Sequence, residues 1–327
     1  MKDCSQLQAK DQFLPVKSPP KLTQGDTIVL KWKHGKQAVL MLCFDDSAPT
    51  HLDYTIPALT HRRITGTFYI NPGNGPYRSR QKEWDSAASA PGIVLANHTY
   101  SHIGGMTEKE FEREIALANN ELDRIYPTLP KNRLRSWGRP GVPDEQWGIS
   151  EPQINRILKR HLMIERPPFQ GPPFTMNGLE EMEAFIGKLL QDNEAKPLVF
   201  HGVAGDWHSV SLNDFLSLLD YVEERRDQLW LTDPLTWHCY KTERESARVV
   251  LLDSHSDQIR LSLICDEDTN LYHEPLTLMT GLPEFWQDVY VWQDGHPLYL
   301  EKMDGCVLYD AVPGGGDVIL SNQRQND

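Results

Sequence analysis

Two carboxylates, Asp45 and Asp46, close the stretch Cys43-Phe44-Asp45-Asp46-Ser47, directly after the apolar run Ala38 to Phe44. If that run is a parallel strand of a barrel, its carboxyl end opens on the face where such enzymes work, and both acids reach one mouth. The plain structural alternative is that Asp46 or Ser47 caps a following helix. A second cluster, Asn97-His98-Thr99-Tyr100-Ser101-His102, follows the run Ile93 to Ala96. Imidazoles at i and i+4 on a turn of helix share a face and can grip one divalent ion. Thr99 stands where an H-E-x-x-H metalloprotease carries its glutamate, so that chemistry is excluded. Two histidines and a carboxylate leave coordination positions open for water and substrate, which a hydrolytic metal centre requires. His201 after Leu198 to Phe200, and Arg139 in Arg139-Pro140-Gly141 after Leu134 to Trp137, place further polar groups at two more strand ends.

The elements that must position these groups are legible as short apolar runs: Ala38 to Phe44, Gly66 to Ile70, Ile93 to Ala96, Leu134 to Trp137, Leu162 to Ile164, Leu198 to Phe200 and Leu229 to Thr232. Several read as strands buried on both faces, as parallel strands are. Between them lie helices. Thr107-Glu108-Lys109-Glu110 is a capping box, with Phe111, Ile115, Leu117, Leu122 and Ile125 following at helical spacing. Leu179 to Leu190 and Ser211 to Glu224 are also amphipathic. Strand alternating with helix predicts a parallel α/β sheet or barrel, and seven strands favour a barrel. After about Ser246 the runs Ala247 to Leu252, Ile259 to Cys265, Val289 to Trp292, Val307 to Tyr309 and Val318 to Leu320 are joined by turns. They predict a small all-β, sandwich-like domain.

The 327 residues carry 33 Lys and Arg against 46 Asp and Glu, a net charge of −13, which argues against a phosphate-backbone partner and so against nucleic acid. With 39% hydrophobic residues the chain can build a packed core. No apolar run approaches the ~18 residues of a transmembrane segment. Met1-Lys2-Asp3-Cys4-Ser5-Gln6 lacks the apolar core of a secretory signal, so the chain either stays inside or has lost a leader, with an extracytoplasmic site slightly favoured. Five widely spaced cysteines without a C-x-x-C pair support neither a disulfide framework nor a thiolate cluster. The expected organisation is an extended N-terminal arm over 1–24, a catalytic barrel over 25–243 and the β domain over 244–327. The oligomeric state is left open.

The motifs resemble those of the polysaccharide deacetylases, the NodB-homology or carbohydrate esterase family 4 group. Phe44-Asp45-Asp46 is similar to that family's F-D-D motif, and His98-Thr99-Tyr100-Ser101-His102 matches H-[ST]-x-x-H. Arg139-Pro140-Gly141 resembles a shortened Arg-Pro motif, and Val199-Phe200-His201 resembles the terminal L-x-H motif. The likeness covers about residues 25 to 240 and implies a distorted (β/α)7 barrel. It also implies Asp45 as general base and Asp46, His98 and His102 as ligands of a divalent metal, Zn²⁺ first, with Co²⁺, Ni²⁺ or Mn²⁺ as alternatives. Arg139 would orient Asp45, and His201 would be the general acid. The family's Asp-Trp motif has no counterpart between Arg139 and His201, since Asp206-Trp207 comes later. Trp84, Trp137 and Trp207 are candidates for stacking on sugar rings, and Asn71 to Arg80 for part of the rim.

The implied activity is removal of acetyl groups from an N-acetylated glycan. Alternatives on the same site are an O-acetyl esterase on xylan-like polymers and a cyclic-amide hydrolase. The alternative from another class is a carbohydrate-binding protein with an inactive deacetylase fold.

Overall fold

The computed structural model describes residues 21–324, so nearly all of the expected N-terminal arm lies outside the described residues. Sixteen strands run in chain order as β1 (Thr27–Val29), β2 (Ala38–Phe44), β3 (Gly66–Ile70), β4 (Ile93–Asn97), β5 (Arg135–Trp137), β6 (Met163–Glu165), β7 (Ala195–Phe200), β8 (Leu229–Leu231), β9 (Arg248–Ser254), β10 (Gln258–Ile264), β11 (Leu276–Gly281), β12 (Tyr290–Gln293), β13 (His296–Pro297), β14 (Leu300–Met303), β15 (Cys306–Ala311) and β16 (Asp317–Ser321). The helices are α1 (Ile56–Arg62), α2 (Gly75–Ser79), α3 (Gln81–Ala87), α4 (Glu108–Ile125), α5 (Glu151–Arg160), α6 (Gly178–Asp192), α7 (Leu212–Glu224) and α8 (Pro234–Ser246). They divide into two compact units. One comprises 39–226 and 231–237, and the other the described residues up to 38, 227–230 and those from 238 on.

The first unit is the expected distorted (β/α)7 barrel. Its sheet runs β6-β5-β4-β3-β2-β7, with β8 pairing β2 outside that order. The pairings along this path are parallel. Parallel strands covered by helices lose water on both faces. Accordingly every residue of β2 and β3 is buried, as continuous apolar runs require. The sheet does not close by strand pairing between β6 and β7. Instead the segment after β6 crosses there, and Val199 N–H donates to the Gln170 carbonyl at 2.8 Å. A Cβ at Gly171 would lie 1.8 Å from the Val199 carbonyl oxygen, so only glycine permits this approach. α4 starts where Thr107 accepts the Glu110 N–H, and it buries Phe111, Ile115, Ala118 and Leu122 at steps of three and four residues.

The second unit is antiparallel. One sheet has the order β1-β11-β15-β14 and the other β13-β12-β16-β10-β9. In β10 and β16 buried and open residues alternate, with Ile259, Leu261, Leu263, Val318 and Leu320 inside. β1 departs from the expected boundary at residue 25, because Thr27, Ile28 and Val29 pair with Thr280, Met279 and Leu278 of β11. A run of three β-branched residues carries no signal of which sheet it joins. β11 itself was not among the expected strands. Its threonines interrupt the apolar pattern, yet all six residues are buried, and Thr280 Oγ1 shares hydrogen bonds with Tyr309 Oη at 2.8 Å and Thr27 Oγ1 at 2.9 Å. Cys43, Cys265 and Cys306 form no disulfide among the described residues, and among the described residues no helix is long and apolar enough to cross a membrane.

The α4 cap offers a direct check on these boundaries. Thr107→Ala removes the acceptor for the Glu110 N–H and is expected to cost about 1 kcal/mol. Urea unfolding should show a lowered midpoint at unchanged slope.

Candidate active site

The site lies at the carboxyl ends of the barrel strands. Asp45 and Asp46 follow β2, Asn71 follows β3, His98 follows β4, Gly138 follows β5, Arg166 follows β6 and His201 follows β7. Parallel strands end on one side, so short side chains from several loops converge there.

Asp45 is 3% exposed and is clamped by Arg166, whose Nη1 and Nη2 donate to Oδ1 and Oδ2 at 2.8 and 2.6 Å. This paired geometry is the strongest a carboxylate and a guanidinium can form. The guanidinium carbon lies 4.6 Å from the centroid of the Tyr69 ring, and Tyr69 Oη is in turn 2.7 Å from Ser136 Oγ.

Asp46 points to the histidines. Its Oδ1 is 3.2 Å from His98 Nε2 and 3.0 Å from His102 Nε2. Burial would raise the Asp46 carboxyl, but its interactions with His102 and His98 outweigh burial and hold it well below the usual carboxylate range. Although both imidazoles are this close, Oδ1 is buried without an aligned hydrogen-bond donor among the described residues. Ligand atoms of Asp46, His98 and His102 all lie within 4.8 Å of one another. His98 Nδ1 is 2.8 Å from the Gly138 carbonyl oxygen, which can only accept, so Nδ1 carries a proton and Nε2 is the nitrogen that faces the acids. Gly138 permits this, because a Cβ there would sit 2.8 Å from the Tyr69 ring and 3.2 Å from His98 Nδ1. The second oxygen of Asp46, Oδ2, accepts the Trp207 indole N–H at 2.7 Å and lies 3.8 Å from His201 Nε2.

The expected helical turn beneath His98 and His102 is absent. Residues 98–104 form an irregular loop. Thr99 and His102 take positive φ of 64° and 55°, as do Asp46 and Ser47 at 73° and 54°. Such conformations cost about 1–3 kcal/mol each and persist where surrounding bonds enforce them. Here Asn97 Oδ1 accepts Thr99 N–H, Glu114 accepts Ser101 N–H, and Asn71 Nδ2 donates to the carbonyls of His98 and Thr99. Asn71 N–H donates to Ser47 Oγ, tying this loop to the one after β2.

Of the residues singled out from sequence, Asp45, Asp46, His98, His102, His201 and Trp207 come together, Trp207 as a donor to Asp46. Three others do not take the expected places. Arg139 binds Glu151 and Glu165 rather than Asp45, because the strand after its own brings Arg166 nearer. Trp84 is fully buried and stacks on Tyr77. Trp137 is fully buried in the cluster of Phe111, Ile115 and Ile157. Neither can meet a sugar. Arg166 was missed, although Glu165-Arg166-Pro167 repeats the Arg-Pro pair at a strand end. Phe169, Phe174 and His208, which wall His201 at ring distances of 5.7, 5.8 and 5.3 Å, carry no comparable signal.

The two arginines separate in a stability measurement. Arg166→Gln strands a buried carboxylate and is expected to cost about 3–5 kcal/mol. Arg139→Gln breaks a partly exposed pair and should cost about 0–1 kcal/mol. Equal shifts in urea midpoint would reject this assignment.

Residues 33–137 match the family model of the polysaccharide deacetylases. A gellan lyase from a Bacillus species is 29% identical over 107 residues, 32% of this chain, and the match spans only 4% of that relative's length. Among solved structures, a Mycobacterium smegmatis protein described as a polysaccharide deacetylase aligns at 15% identity and TM-score 0.48, over 65% of this chain and 92% of that one. A peptidoglycan deacetylase from Bacillus subtilis aligns at 17% identity and TM-score 0.43, over 64% and 94%. The segment 33–137, which carries Asp45, Asp46, His98 and His102, is thus similar to the polysaccharide deacetylase family.

Proposed function

We propose that the protein is a divalent-metal-dependent hydrolase that removes acetyl groups from an N-acetylated glycan. The observation that carries this reading is the convergence of Asp46, His98 and His102 beside an Asp45 held by Arg166. Two imidazole nitrogens and one carboxylate oxygen form a donor set suited to Zn²⁺ with positions left open. The buried Asp46 Oδ1, without an aligned donor, fits a cation as its missing partner. His98 is held through its other nitrogen by Gly138, as metal-binding histidines are. When bound, such an ion supplies Lewis acidity, acidifying water and polarising an acyl oxygen.

The protein's own groups do the rest. Asp45, fixed by the two bonds from Arg166, takes the proton from the attacking water as general base. His201 lies across the site and donates a proton to the departing nitrogen, which leaves poorly as an amide anion. Trp207 holds the second oxygen of Asp46 and so orients the ligand carboxylate. Phe169 and Phe174 stand against the His201 ring and restrict its orientation.

One observation favours an O-acetyl ester as the second reading. His201 Nδ1 is buried and has no hydrogen-bond partner among the described residues, and burial lowers the pKa of this imidazole. An alkoxide needs less help in leaving than an amine, so an ester tolerates a His201 that is less often protonated.

Chelator treatment should abolish acetate release from acetylated chitooligosaccharides, and Zn²⁺ should restore it. Asp45→Asn should lower kcat by about 10²–10⁴-fold while retaining bound Zn²⁺, whereas His98→Ala should lose both. Full turnover by metal-free protein would refute the proposal. Free amine in the products indicates amide hydrolysis, and free hydroxyl supports the second reading.

A further inference from the structure

The loop after β7 carries both His201 and Trp207, and two residues ahead of α1 hold it in place. Thr50 Oγ1 accepts the Val203 N–H at 3.2 Å, and Thr50 N–H donates to Asp206 Oδ2 at 2.8 Å. His51, with no exposed surface, places Nε2 2.7 Å from the His201 carbonyl oxygen. A carbonyl only accepts, so Nε2 must carry the proton and Nδ1 the lone pair. Burial pushes the His51 imidazole down to about 4, so the ring is neutral near pH 7 and has a single tautomer that satisfies this contact.

The remainder of the ring meets aromatic side chains. Phe44, Phe68 and Trp84 lie edge-on to it at 5.6, 5.4 and 6.3 Å. Nδ1 has no hydrogen-bond partner among the described residues. An apolar side chain would suit this wall without stranding an acceptor, so what an imidazole adds is the bond to His201. His51 also opens a π-helical turn, His51–Thr55, that runs into α1. Turns of that kind are rare and are found frequently at functional sites.

The geometry points to His51 as a positioning residue: its Nε2–H fixes the backbone of His201 and thereby aims the His201 imidazole across the site toward Asp46. This inference rests on the proposed role of His201 as proton donor. His51 acts through the main chain of residue 201, where it sets the distance between the His201 ring and the substrate. A displacement of about 1 Å at such a distance is enough to slow a proton transfer severely.

A double-mutant cycle in the full chain loaded with Zn²⁺, assayed by acetate release from acetylated chitooligosaccharide, tests it. His51→Met removes the donor at similar volume, and His51→Gln returns an N–H at similar reach. His51→Met should lower kcat by about tenfold to a hundredfold, with KM and Zn²⁺ affinity changed by less than about twofold. His51→Gln should recover most of kcat, and His51→Met should add nothing in a His201→Ala background. Losses that multiply across the two sites, or a His51→Met variant with wild-type kcat, would overturn the positioning role while leaving the hydrolase reading intact. A His201→Ala variant with unchanged turnover would instead remove the proton donor, and the role of His51 with it. Should His51→Met fail to fold, imidazole ¹⁵N NMR of the wild-type protein decides. A slowly exchanging Nε2–H supports the inference, and an Nδ1–H tautomer overturns it.

Discussion

Two adjacent carboxylates at the end of one buried strand are an electrostatic problem that the rest of the site exists to solve. Asp45 is almost wholly removed from water, and an isolated charge in that position would carry a large burial cost. Arg166 supplies the compensating charge with two parallel bonds. It must itself be buried to do so, which makes the Tyr69 ring and the end of β6 part of the same arrangement. With Asp45 neutralised in this way, Asp46 is free to turn to the histidines. The division of labour between neighbouring acids therefore comes from their partners and not from any difference between the residues.

The loops store the consequence. Asp46, Ser47, Thr99 and His102 sit in left-handed backbone conformations, which non-glycine residues adopt only under constraint. The constraint is visible as side-chain bonds to main chain from Asn71, Asn97 and Glu114 and as the Ser47 hydroxyl that accepts the Asn71 N–H. These bonds hold the acids and histidines on short irregular segments, where a helix or strand would point them elsewhere.

Much of this was legible in the residue order. The strands of the barrel are short apolar runs buried on both faces, and that signal is strong wherever helices cover a parallel sheet. Side chains placed immediately after such runs reach one face of the sheet with little help from tertiary detail, so the convergence of Asp45, Asp46, His98, His102 and His201 was expected from their places in the sequence. Arg139 could not be told from Arg166, because both precede proline at strand ends and the choice depends on how the open edge between β6 and β7 is bridged. Trp84 and Trp137 failed as sugar-binding candidates for a similar reason, since an aromatic residue near a motif does not reveal which side of its backbone faces the core. The i, i+4 histidine spacing suggested a helix, yet the rings meet through a loop, with centroids 5.0 Å apart.

The pairing of β1 with β11 joins residues 253 positions apart in the chain. During ribosomal synthesis the first strand must therefore wait on the order of tens of seconds before its partner emerges. The intervening barrel segments have time to collapse on their own while that strand stays unmatched. The β unit is thus a discontinuous body, assembled only after β11 has emerged. Cutting the gene between the two units would separate β1 from the sheet it completes.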